Sequence, residues 1–203
     1  HAMMAMLAVI GLTSATFLRN QAYQTELSIW KDTIVKAPLH AAAWHNVGLS
    51  YVNLGRSSEA QPFLAKAFAL APNDPHMASA YGSALLEARE YELARKHLTF
   101  AIQGNPKDHV ALRNMGNLLL DTGRGNEAIQ YCERALQLAP PDAELEMSYV
   151  AALIVSGRLD DAIKQCQKTL EEHPQYLKAH LNLVSVYSQR GDMNNAIEHL
   201  KIA

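Results

Sequence analysis

The sequence predicts an all-α fold, a solenoid of antiparallel helix hairpins repeating every 34 residues. Three observations predict it. Prolines stand at Pro38, Pro72, Pro106, Pro140 and Pro174, so five of the eight prolines share one grid, which chance would not supply. Alanine recurs at Ala60, Ala94, Ala128, Ala162 and Ala196 on the same period. A glycine able to close a helix recurs as Gly55, Gly123, Gly157 and Gly191. Arg89 replaces it in the second unit, where the helix is expected to run on a little longer. A helix hairpin cannot bury its apolar face alone and must be stacked on others.

Taken in order, His1-Ala2-Met3 reads as an expression scar and carries no fold information. Residues 1–22 then hold an apolar helix, with no charge from Met4 to Leu18. Three readings of it compete: the tail of a transmembrane helix, the first helix of a degenerate repeat, or the remnant of an export signal. Residues 23–40 supply the second helix of that degenerate unit. Leu27, Trp30 and Ile34 form its apolar face, with Tyr23 a further candidate, and Glu26 stands where the grid asks for alanine.

The unit 41–74 is the most regular. Trp44, Val47, Gly48 and Tyr51 share one face of a first helix, and Gly55 stops it. Ser58 with Gln61 reads as a capping box opening a second helix, whose buried stripe is Ala60, Leu64 and Ala67, and Pro72 ends it. Gly48 is small, so two helix axes can approach closely, and Gly82 and Gly116 repeat it. Val150 and Val184 then replace it, so the last two hairpins are expected to pack slightly wider. Trp44 itself gives way to Ala78, Leu112, Glu146 and His180. Further units follow at 75–108, 109–142 and 143–176, with a partial one at 177–203.

These residues resemble the tetratricopeptide repeat, whose pattern is W-x2-L-G-x2-Y, then A-x3-F, then P. Val47 and Leu64 depart from it but keep its apolar character. The resemblance implies a right-handed superhelix whose first helices line a concave groove, and a family of binding scaffolds. The run from Arg19 through Tyr23 to Pro38 also resembles the junction in membrane proteins that carry such arrays, multi-span glycosyltransferase-like proteins among them. That reading makes the array an accessory domain tethered at its N-terminus, with the repeats outside the bilayer. The alternative location is a soluble cytoplasmic array.

The composition is 49% hydrophobic and 19% charged, ordinary for a folded protein. Eighteen basic against twenty acidic residues give no electrostatic case for nucleic acid. The nine histidines show no metal-binding helix spacing and read as scattered and mostly exposed, so no metal site and no cofactor are expected. Cys132 and Cys166 lie one repeat apart, roughly 10 Å by helix stacking, which is beyond disulfide reach. No nucleophile elbow, P-loop or dinucleotide fingerprint is present, so no catalytic residue and no enzymatic activity are expected.

Binding is the remaining function, with a protein or extended peptide as the partner. By the resemblance, positions 2, 5, 6, 9, 12 and 13 of each unit face the groove. Position 6 carries Asn46, Asn114 and Asn182, interrupted by Ala80 and Ser148, with Asn117 and Asn53 beside the row and His45 at position 5. Position 12 is apolar: Val52, Leu86, Leu120 and Ile154. Glu87, Arg113, Asp121 and Lys178 border it. An asparagine amide both donates and accepts, so such a row can hold a peptide backbone of any sequence. The row is similar to the asparagine ladder of O-linked N-acetylglucosamine transferase, although asparagine at position 6 also serves the fold across the family. The basic residues are too few for a two-carboxylate clamp. A final second helix around Ile197 and Leu200 with no successor predicts self-association through that end.

Overall fold

A computed structural model describes residues 25–203. The readings of residues 1–22 and of Tyr23 lie outside this range, as does the part of the membrane junction before residue 25. Among the described residues there are eleven helices and no strand. Helix α1 spans Glu26–Lys36. The first helices of the hairpins are α2 (Ala41–Asn53), α4 (Pro75–Glu87), α6 (His109–Asp121), α8 (Ala143–Val155) and α10 (Leu177–Gln189). The second helices are α3 (Ser57–Leu70), α5 (Tyr91–Gly104), α7 (Gly125–Leu138), α9 (Leu159–Glu172) and α11 (Met193–Ile202). None of these helices is long and apolar enough to cross a membrane.

Four of the five first helices are capped by side chains; α10, which follows Tyr176, is not. Asp74, Asp108 and Asp142 accept hydrogen bonds from backbone N–H groups of α4, α6 and α8, and His40 does the same for α2. Of the second helices, α3, α5, α7 and α9 carry no such cap, whereas Asp192 accepts from the Asn195 N–H at the start of α11. Ser58 lies inside α3, and Arg56 is the N-cap residue without a side-chain hydrogen bond, so the capping box expected at Ser58 and Gln61 is not formed. The preceding turn explains this. Each first helix ends in a backbone closure in which, for example, the Arg56 N–H donates to the Tyr51 carbonyl. That closure needs a left-handed residue, which is Gly55 at φ 70°. Arg89 takes the same conformation at φ 59°, and the Glu90 N–H donates to the Leu85 carbonyl. Helix α4 therefore ends at Glu87 and does not run on: the turn geometry outweighs the residue's preference.

Glycine at the centre of the first helix permits a close approach. A Cβ on Gly48 would lie 2.5 Å from Leu64 Cγ, and one on Gly116 would lie 2.7 Å from Cys132 Sγ. Where Val150 replaces glycine, the facing residue by the same register is Cys166, and both are fully buried. A small opposite number does not by itself make room, since Gly116 faces Cys132 with no space for a Cβ; α8 and α9 instead approach less closely than α6 and α7, so this hairpin packs wider. Cys132 and Cys166 are free thiols, and burial pushes both up to about 12. Buried residues from Ala78 on α4 to Val186 on α10 form one continuous core. Leu27, Trp30 and Ile34 of α1 pack against the separate cluster around Val47, Tyr51 and Leu64. Glu26 accepts a hydrogen bond from Trp30 Nε1 at 3.1 Å, which accounts for an acid at an alanine position.

Two polar residues at the tryptophan position are also accounted for. Trp44 Nε1 donates to the Pro38 carbonyl at 2.9 Å. His180 Nε2 makes the equivalent contact to the Pro174 carbonyl at 3.0 Å, so the imidazole replaces the indole as donor. Its Nδ1 then accepts from His199 Nδ1 at 3.0 Å. Glu146 accepts a hydrogen bond from Thr169 Oγ1 at 2.5 Å. The histidines are thus not mostly exposed. His180 is buried, and His45, His97, His109 and His199 are half-buried. Packing of the imidazole ring between helices outweighs its polarity.

Candidate functional site

Each first helix touches the first helix of the next hairpin, while the second helices do not meet to the same degree. The first helices therefore lie on the inner side of a curved stack. Three depressions on that side share lining residues and form one trough. The first, about 380 Å³, runs from His45 and Val52 across Ala80 to Arg113 and Asn114. The second, about 540 Å³, is bounded by Leu86, Glu87, Asn117, Leu120 and Asp121. The third, about 360 Å³, continues from Asn117 and Leu120 to Lys178 and Asn182. Ser83, Glu87, Arg113 and Asn114 belong to both of the first two.

Eleven of the candidate residues line this trough: His45, Val52, Leu86, Glu87 and Arg113, then Asn114, Asn117, Leu120, Asp121, Lys178 and Asn182. Three do not. Asn46 is half-buried on α2, Asn53 is exposed at its C-terminal end, and Ile154 packs against the main core.

Two of the three asparagines of position 6 are tied to the preceding hairpin. Asn114 is 8% exposed, and its Nδ2 donates to Ser83 Oγ at 2.5 Å. Asn182 Nδ2 donates to Met147 Sδ at 3.4 Å. Ser83 in turn donates to the Ser79 carbonyl. Among the described residues, Oδ1 of Asn114 has no hydrogen-bond partner. The charges are partly matched. Arg113 lies 3.6 Å from Asp142. Lys178 pairs with Glu144, which also accepts from the Tyr176 hydroxyl at 3.1 Å. The hydrogen bond from Lys178 holds the Glu144 carboxyl below the usual carboxylate range, and burial pushes the His45 imidazole down.

Ser83, Arg89, Glu144 and Ser148 also line the trough and were not among the sequence candidates. Ser83 occupies position 9, equivalent to Asn117, so applying the groove stripe to every unit would have found it. Arg89 sits on a turn and gave no signal of facing inward. Among the described residues, no group of three or more histidine, cysteine or carboxylate side chains converges as a metal site would require.

A curved helix-hairpin solenoid with an inner trough defines an α-helical repeat protein. Sequence profiles described as the tetratricopeptide repeat match residues 41–74, 79–143, 119–168 and 153–203, and the chain belongs to that family of protein-interaction scaffolds. No curated protein sequence matches the chain. Among solved structures it is similar to YrrB, described as a TPR protein with an unusual peptide-binding site. The identity is 20%, the alignment covers 85% of this chain and 89% of that one, and the TM-score is 0.66. It is similar to MamA from Desulfovibrio magneticus RS-1 at 24% identity, 80% and 92% coverage and TM-score 0.69. A tetratricopeptide repeat protein from Parabacteroides merdae matches at 18% identity, 96% and 77% coverage and TM-score 0.71. These likenesses concern the fold.

Proposed function

We propose that this chain is a non-enzymatic scaffold that holds an extended peptide or protein segment in the trough along its first helices. The observation that carries this reading is the continuity of the trough from His45 to Asn182. A concave surface with apolar floor and a few convergent polar groups is what an extended chain can follow. YrrB, with its peptide-binding site, shares the fold and supports the class of ligand. The test is site-specific photo-crosslinking. A photoreactive residue at Asn117 or Leu120 is expected to capture partners that one at Gln130, on the outer helix α7, does not. Capture from Gln130 alone would reject the trough as the binding surface.

A second reading is favoured by one further observation. Met193, Ile197 and Leu200 on α11 are each at least half exposed. The positions one repeat earlier, Leu159, Ile163 and Cys166, are packed into the core. The occupant in this reading is a second copy of the chain. Three side chains offer far less than the ~800 Å² per partner of a stable interface, so the association is weak and concentration-dependent. Sedimentation velocity across a concentration series tests it. A single monomer species throughout, unchanged by Leu200→Asp, would dismiss it.

A further inference from the structure

The trough changes character along its length. Its first part has apolar walls, Leu49, Val52 and Val110, over a floor of Ala80 and Ala84. Ala80 stands at position 6, where Asn46, Asn114 and Asn182 carry amides. The missing side chain turns a ridge into a pocket of about 380 Å³, large enough for a bulky apolar side chain. The next part is polar, and Glu87 lines both. A ligand seated in the pocket therefore reaches Glu87 within a few residues of extended chain.

The unspent polar capacity beside the pocket is mainly that of acceptors. Arg113 and Lys178 already face Asp142 and Glu144. Glu87 and Asp121 make no hydrogen bond or ion pair among the described residues. Asn114, more than nine-tenths buried, spends its N–H on Ser83 and leaves Oδ1 open at the junction of the two depressions. Arg89, on the turn after α4, is the cation of this depression without a partner among the described residues, so the two carboxylates outnumber it. We propose that the trough selects a segment whose large aliphatic or aromatic side chain fills the Ala80–Ala84 pocket and whose lysine or arginine, a few residues away, is held by Glu87 and Asp121. This specificity deepens the scaffold reading and rests on it.

The experiment is selection of displayed random linear dodecapeptides on the full chain, with parallel selections on variants. Ala80→Leu fills the pocket without changing its polarity. Glu87→Lys with Asp121→Lys reverses two exposed charges and leaves the core untouched. Circular dichroism verifies that both variants fold. The wild type is expected to enrich peptides with a large apolar residue near a lysine or arginine. Ala80→Leu should remove the apolar preference and keep the basic one. The double reversal should weaken the selected peptides by roughly tenfold or more and shift enrichment towards aspartate and glutamate. Binders that respond to Leu120→Glu but show neither preference would overturn this specificity and leave the trough reading in place. Binders indifferent to every trough substitution, or no enrichment at all, would overturn both.

Discussion

Replacing Asn114 with alanine separates the two roles open to the asparagine row. Asn114 is 8% exposed, and its amide nitrogen donates to Ser83 Oγ, which joins α6 to α4. A neutral hydrogen bond of this kind contributes about 0.5–1.5 kcal/mol net. Ser83 keeps its own donor bond to the Ser79 carbonyl, so no hydroxyl proton is orphaned by the substitution. Asn114→Ala is therefore expected to destabilise the array by about 1 kcal/mol, or roughly 2–4 °C in melting temperature for a chain of this size. Asn117→Ala removes no side-chain hydrogen bond among the described residues, and Asn46→Ala removes only one to its chain neighbour His45, so both should change stability by less than about 0.5 kcal/mol. Urea titrations followed by circular dichroism, run on Asn114→Ala, Ser83→Ala and the double variant, isolate the bond as a coupling energy. Additive effects in that cycle, or Asn46→Ala costing as much as Asn114→Ala, would refute the reasoning. A selected peptide completes the comparison: Ser83→Ala keeps the amide and should keep binding, whereas Asn114→Ala should lose about tenfold if Oδ1 serves the ligand.

Other expectations concern the scaffold. Arg89→Gly relieves a left-handed arginine where the other four turns carry glycine, and should raise stability by about 0.5–1 kcal/mol in thermal melts. Gly48→Val drives a side chain into Leu64 and should cost about 1–3 kcal/mol in urea titrations. His45, His97 and His199 are all pushed below their ordinary value by burial, and His180 beside His199 adds to the effect there. Their unfolded forms bind the proton more readily. The stability they confer is thus complete above about pH 6.5 and falls as the pH drops below it. Urea midpoints between about pH 7.5 and pH 5.5 should decline, and His199→Gln should flatten part of that decline.

The solenoid was legible because its period is written in residues with few alternatives. Proline ends the second helices, alanine sits where helices cross, and glycine closes the turns. Legibility failed where geometry overrides residue preference. Arg89 adopts the left-handed turn because the backbone closure demands it, and no arginine announces that. His180 reads as a mismatch for tryptophan until its Nε2 is seen on the Pro174 carbonyl. At the candidate site, the stripe of first-helix positions found most of the trough. It could not tell that Asn114 is covered and committed to Ser83, because that depends on the serine one hairpin away. Nor did it register Ala80 as a feature, since a gap in a row of side chains becomes a pocket only between packed helices.

The most direct test of the trough as a binding surface is nuclear magnetic resonance mapping on the isotope-labelled chain. A peptide from the display selection is titrated in, and shift changes are followed residue by residue. The account predicts a contiguous set on the inner helices, including Val52, Leu86, Asn117 and Leu120, with the outward faces of α5, α7 and α9 unmoved. Shifts confined to those outward faces, or to α11, would contradict it.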